Sequence, residues 1–148
     1  MSRFEGDHFF PRPREIVSEK LSDATFIAHG FKNIERIVSE SRDSAEWKLR
    51  TALSFLNAVI DINMKIQERS SEQTRYHVFS KGIGASSTIL ATLTFHPVEG
   101  GTRVHYVAEI TERTGLLKIV SPGLIQSTAK LIIEDAWKSL EEKMVATA

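Results

Sequence analysis

Tyr76 and Tyr106 are the side chains best suited to meet the polar end of a ligand. Each falls in a segment where apolar and polar residues alternate, so that every second side chain faces one buried surface. Tyr106 shares its row with Val104, Ala108 and Ile110. A phenol buried in such a row needs a hydrogen-bond partner. In a packed core that partner is the backbone, and in a core that leaves space it is a ligand oxygen. Both readings stand at this point.

The other reactive groups do not assemble. The histidines are His8, His29, His77, His96 and His105, and none forms the i, i+4 pair of a zinc-binding helix. With no cysteine in the chain, there is no thiolate to complete a metal set. His77 and His105 are expected on neighbouring strands, and His105, out of phase with Tyr106, is expected to point outward. Glu109, Glu112, Glu134 and Asp135 offer carboxylates, but no spacing forces two of them together. There is no G-x-S-x-G nucleophile elbow. The segment Gly82-Ile83-Gly84-Ala85-Ser86-Ser87 superficially resembles a phosphate loop, yet it lacks the Gly-Lys-Ser/Thr ending and opens no helix. Turn chemistry accounts for its glycines. No catalytic residue, metal site or cofactor is assigned, and the residues argue for a binding protein rather than an enzyme.

The chain has 148 residues, and one domain spanning 1–148 is expected. Lys plus Arg and Asp plus Glu both number 19, so the formal net charge is zero. A nucleic-acid partner, which calls for a basic excess, is not expected. The absence of cysteine excludes disulfides and fits a cytoplasmic address. Met1 to Phe10 carries Glu5, Asp7 and His8 and has no apolar signal core. The most apolar stretch, Leu116 to Ile125, is interrupted by Lys118, Ser121, Pro122 and Gly123, and falls short of the ~20 residues of a membrane span.

The elements that must position the tyrosines follow from periodicity. Arg3 to Phe10 reads as a strand ended by Pro11 and Pro13. Arg14 to Leu21 reads as a short helix, and Asp23 caps a second one that stops at Gly30. From Phe31 to Arg113 strand follows strand. Ile34 to Val38 is the first. Next come the inner rows Trp47, Leu49, Thr51, Leu53 and then Ile60, Ile62, Met64, Ile66. Arg75 to Phe79 follows, then Ile89, Ala91, Leu93, Phe95, and last the Tyr106 row. Short connections imply antiparallel pairing, and Gly100-Gly101 supplies the positive φ of a tight hairpin. From Leu116 to Met144 the period becomes helical. Ile125, Ala129, Ile132, Ala136 and Leu140 share one face, Ile133, Trp137 and Met144 flank it, and Pro122-Gly123 is expected to break or kink the helix near its start. A sheet with one apolar face and a helix with one apolar stripe must bury each other.

This order of elements resembles the α+β helix-grip fold of the START/Bet v 1-like (SRPBCC) superfamily: a curved antiparallel sheet of about seven strands around a long C-terminal helix, with two short helices after the first strand. More narrowly, the chain resembles the carbon monoxide dehydrogenase G-subunit family. The resemblance rests on Phe4-Glu5-Gly6, on Pro13 to Asp23, and on Ser54-Phe55-Leu56-Asn57-Ala58. It continues through Tyr76 to Gly84, Gly100-Gly101-Thr102-Arg103-Val104-His105-Tyr106 and Gly115-Leu116-Leu117. His29-Gly30 stands where relatives usually carry Pro-Gly.

The resemblance implies a cavity between sheet and helix for an apolar, lipid-, quinone- or polyketide-like molecule. The lining then comes from Trp47, Leu49, Leu53, Ile62, Met64, Tyr76, Ile89, Leu93, Tyr106 and Ile110 of the sheet, and from Ile125, Ile132 and Ala136 of the helix. Leu116, Leu117 and Val120, at the strand–helix junction, are expected at its entrance. It also implies a protein partner, a membrane-linked redox enzyme, or peripheral contact with the inner membrane face. The alternative is a polyketide cyclase/dehydrase-like enzyme in which the tyrosines polarise a carbonyl.

Overall fold

In a computed structural model of the chain, seven antiparallel strands form one curved sheet in the order β1-β7-β6-β5-β4-β3-β2. The strands are β1 (Ser2–Phe10), β2 (Ile34–Glu40), β3 (Ser44–Leu53), β4 (Leu56–Arg69), β5 (Gln73–Gly82), β6 (Ala85–Val98) and β7 (Gly101–Gly115). Two short helices, α1 (Arg14–Leu21) and α2 (Ala24–Ala28), follow β1, and α3 (Pro122–Ala146) closes the chain. The structure describes residues 2–53, 56–82, 84–115 and 121–146; the side chains of residues 2, 51–53, 56–58, 122, 125, 128 and 146 are not described.

From β2 to β7 the strands form a meander, and β7 then pairs with β1, so β1 and β2 are the two edges. The registers set the inner face in rows. One row runs Met64–Val78–Ile89–Ile110 across β4 to β7. The next runs Ile66–Tyr76–Ala91–Ala108 and ends on Phe4 of β1. A third runs Thr74–Leu93–Tyr106–Gly6. Period-2 alternation turns these residues to one side and leaves Glu5, Lys65 and Arg75 on the other.

The short helices are pinned to this face. Asp23 caps α2 by accepting the Thr25 N–H at 3.0 Å. The Thr102 hydroxyl donates to the Arg12 carbonyl at 2.8 Å, just before α1. Just after α1, Ser22 and Thr74 share a buried hydroxyl–hydroxyl bond of 2.6 Å. Both tethers are polar groups satisfied in place, so their burial carries no orphan penalty.

The helix α3 lies across the inner face unevenly. At its C-terminal half Leu140 and Met144 are almost fully buried, whereas Leu124 and Leu131 nearer its start are exposed. A side chain at Gly30, just beyond α2, would overlap Leu140, so glycine there lets the helix seat. Two expectations need correction. Pro122 does not kink α3: it is its first residue, where its missing N–H has no intrahelical partner to lose, and Ser121 caps the turn by accepting the Leu124 N–H at 3.2 Å. Of the glycine pair, only Gly100 has positive φ, at 83°; Gly101 already belongs to β7, and its bare Cα makes room for the Phe10 carbonyl.

The buried and exposed leucines of α3 give a direct test of its orientation. Leu140→Ala should lower unfolding stability by about 2–5 kcal/mol, and Leu131→Ala by no more than about 0.5 kcal/mol. Urea unfolding of the two variants beside wild type measures the difference.

Candidate functional site: an apolar cavity under the long helix

Between the inner rows and the middle of α3, from Ala129 to Leu140, lies a cavity of about 340 Å³. It exists because the helix is anchored at its far end while small and branched residues, Ala129, Ile132, Ile133 and Ala136, cover this part of the sheet. The sheet's concavity keeps the two surfaces apart. Leu21 of α1, Ile27 of α2 and Phe31 close one end.

The structure brings the expected lining together. Trp47, Leu49, Ile62, Met64, Tyr76, Ile89, Leu93, Tyr106 and Ile110 all border the cavity from the sheet, and Ile132 and Ala136 border it from α3. Leu116, Leu117 and Val120, and the side chains of Leu53 and Ile125, lie outside the described residues. Phe4, Leu21, Phe31, Ser80, Ser87, Arg113 and Trp137 also contribute and were not anticipated as lining. Trp137 flanks the apolar helix face in sequence, which was a usable signal; Arg113 carried none, because its facing depends on the register of β7 against β6.

The two tyrosines play different parts. The ring of Tyr76 borders the cavity, but its hydroxyl donates to the carbonyl of Leu21, the last residue of α1. That carbonyl has no intrahelical partner, so Tyr76 ties off a helix end rather than reaching for a ligand. Burial raises the Tyr76 phenol well above its ordinary value, and the nearby Arg69 charge opposes this only partly. Tyr106 leans over β1, where a Cβ at Gly6 would lie 2.8 Å from its hydroxyl. Its ring meets that of Trp137 at 5.7 Å. Burial raises its pKa, with the charges of Glu134 and Asp7 adding to the effect, so the phenol stays protonated and able to donate.

Trp137 is fixed by its neighbours. It stacks on His8 at 5.9 Å with 13° between planes, and Phe10 meets it edge-on. His8 in turn bonds Glu141 of the same helix at 2.7 Å. The indole N–H groups of Trp137 and Trp47 are buried with no hydrogen-bond partner among the described residues. Both residues border the cavity. An indole nitrogen only donates, so whatever satisfies these groups must accept.

The remaining chemistry lies elsewhere. His77 and His105 are not on neighbouring strands: β6 runs between β5 and β7, with Leu90 opposite His77 and Thr94 opposite His105. His105 points outward to Asp7, at 3.0 Å, and to Glu5, at 3.3 Å. Glu112, Glu134 and Asp135 are exposed. Among the described residues no three His, Cys, Asp or Glu side chains gather as a metal set. Also among them, no helix is long and apolar enough to cross a membrane.

A curved antiparallel sheet gripping a C-terminal helix over an apolar cavity defines the helix-grip class of START/Bet v 1-like domains. Within that class the chain belongs to the carbon monoxide dehydrogenase G-subunit (CoxG) family, whose model matches residues 6–145. Among solved structures it is similar to a conserved protein from Geobacillus kaustophilus, with TM-score 0.85 and 15% identity over 98% of this chain and 96% of that one. It is also similar to Ara h 8.0201, at 0.66 and 12% over 97% of both chains. The Zhui aromatase/cyclase from Streptomyces sp. R1128 follows at 0.64 and 10%, over 96% and 92%. At these identities the likeness is one of fold. No curated protein matches the chain by sequence.

Tyr76→Phe should lower stability near neutral pH by about 1–3 kcal/mol, because the Leu21 carbonyl stays buried without its donor. The wild type gains a further pH dependence. Its folded phenol titrates above the ordinary value of 10.0, so stability is full below pH 10.0 and falls as the unfolded chain ionises above it. The loss approaches about 1.4 kcal/mol per pH unit for each such group. Urea midpoints followed into alkaline pH should fall less steeply for Tyr76→Phe than for wild type.

Proposed function

We propose that this protein is a binding protein, not an enzyme, and that its cavity holds one apolar molecule of lipid-, quinone- or polyketide-like character. The observation carrying this reading is the composition of the 340 Å³ space: branched aliphatic and aromatic walls, with the donor-only indoles of Trp47 and Trp137 left without partners among the described residues. Its volume falls in the range of small-molecule sites, which are lined by apolar groups with a few polar ones for orientation. Burying roughly 300 Å² of ligand surface supplies several kcal/mol before association costs are deducted. The commitment of the Tyr76 hydroxyl to the Leu21 carbonyl favours this reading over a cyclase, since that phenol is not free to polarise a substrate carbonyl.

Membership of the CoxG family supports a setting beside a redox enzyme, to which the protein would deliver, or from which it would collect, its apolar cargo. In this reading the protein works in the cytoplasm or at the inner membrane face. In the same reading Leu124 and Leu131, exposed on α3, form the contact with a partner or membrane.

Titration with the neutral fluorophore N-phenyl-1-naphthylamine tests the binding reading. Wild type should show saturable one-to-one binding. Ala129→Trp fills the cavity from the helix side and should weaken binding at least about tenfold, with an unchanged thermal melt. Absence of saturable binding to the wild type, or full binding by a folded Ala129→Trp, overturns it.

A further inference from the structure

One row of the inner face differs from all the others. Across β3 to β7 it runs Trp47–Ile62–Ser80–Ser87–Arg113. Ser80 and Ser87 share a hydroxyl–hydroxyl bond of 2.6 Å, and both border the cavity with Arg113. The Nη1 of Arg113 is buried without a hydrogen-bond partner among the described residues, as is Nε1 of Trp47 at the other end of the row.

Arg113 reaches this position through a β-bulge. Thr88 pairs with Glu112, but the next residue, Ile89, pairs with Ile110, which leaves Thr111 without a partner on β6. Simple alternation from the buried Ile110 would turn Glu112 inward. The extra residue reverses the phase, so Glu112 is exposed on the outer face and Arg113 is turned toward the cavity. Bulges re-aim side chains in this way and are common beside functional sites. Here the bulge exchanges an acid for a guanidinium at the wall of an apolar space.

A guanidinium partly removed from water is stabilised by an oxyanion, which it can grip with two parallel N–H groups. One hydroxyl of the serine pair is spent on the Ser80–Ser87 bond, and the other can donate to the same oxygens. Tyr76, which ties down α1, lies four residues along β5 from Ser80, roughly 13 Å away, so the serine pair stands well apart from the end of α1. Between the two, the walls are apolar.

Building on the apolar-cavity reading, we propose that Ser80, Ser87 and Arg113 form a headgroup subsite, and that the bound molecule is an apolar chain ending in a carboxylate. The chain lies along the aliphatic rows toward Leu93 and Tyr106, and the carboxylate accepts from Arg113 with the serine pair beside it.

Displacement of N-phenyl-1-naphthylamine by dodecanoate, methyl dodecanoate and dodecanol, at a pH where the acid is ionised, tests the assignment. Wild type should bind dodecanoate roughly tenfold more tightly than either neutral compound, the scale of one charge-assisted hydrogen bond. Arg113→Gln should bring the three toward parity by weakening dodecanoate far more than dodecanol or the methyl ester, and Arg113→Lys should keep part of the preference. Equal affinity of wild type for all three, or an undiminished preference in folded Arg113→Gln, overturns the headgroup subsite and leaves the cavity reading intact. Failure of all three compounds to displace a saturably bound probe from wild type overturns the chain-with-carboxylate assignment, and absence of saturable probe binding overturns the cavity reading with it.

Discussion

The seating of α3 on the short helices governs the rest of the structure. Leu140 packs where Gly30 has no side chain, Met144 is buried nearby, and Trp137 is held between His8, Phe10 and Tyr106. These contacts fix the C-terminal half of a 25-residue helix. A rigid helix fixed at one end sets the height of its other end above the sheet. Because the sheet is concave and the helix residues facing it include the small Ala129 and Ala136, that height leaves a space instead of a packed interface. Close packing is the usual state of a protein interior. An unfilled apolar volume of this size is stabilised by an occupant of matching shape.

Polar groups around that space divide into those the protein satisfies and those it does not. Tyr76, Thr74, Ser22 and Thr102 all find protein partners, and each of those bonds fixes a short helix to the sheet. The indoles of Trp47 and Trp137 and one guanidinium nitrogen of Arg113 are buried without partners among the described residues. A buried donor without an acceptor costs about 1–3 kcal/mol. The division therefore separates structure from recognition: the satisfied set holds the cavity's frame, and the unsatisfied set gains most when an acceptor enters.

Most of the frame was legible in the sequence because it depends on periodicity. The rows led by Trp47, Ile60, Ile89 and Val104 alternate without interruption, and Pro13, Asp23 and the glycines between β6 and β7 mark element ends by local chemistry. What was not legible depends on pairing across strands. His77 and His105 are separated by β6, which alternation within one strand cannot reveal. The unpaired Thr111 is visible only when β7 is laid against β6, and so the facing of Arg113 toward the cavity cannot be read from alternation along β7. Tyr76 and Tyr106 have equivalent patterns in sequence. Only the position of the end of α1 shows that one phenol is tied to Leu21 and the other is not.

The same distinction bears on how one fold carries different ligands. The Geobacillus protein superposes on this chain with TM-score 0.85 at 15% identity, so the frame survives replacement of most side chains. Period-2 apolar patterning is enough to rebuild the sheet, and it places few demands on which apolar residue stands at each inner position. Recognition has no such tolerance. A bulge shifts the phase of a strand beyond it, and a single inserted residue thereby decides whether an acid or a base faces the ligand. In this chain the bulge lies near the end of β7, past the rows that pack against α1, α2 and the anchored half of α3, so the phase change alters the cavity wall without disturbing the seated helix. Specificity can therefore change at the far end of the sheet while the contacts that hold the cavity open stay as they are.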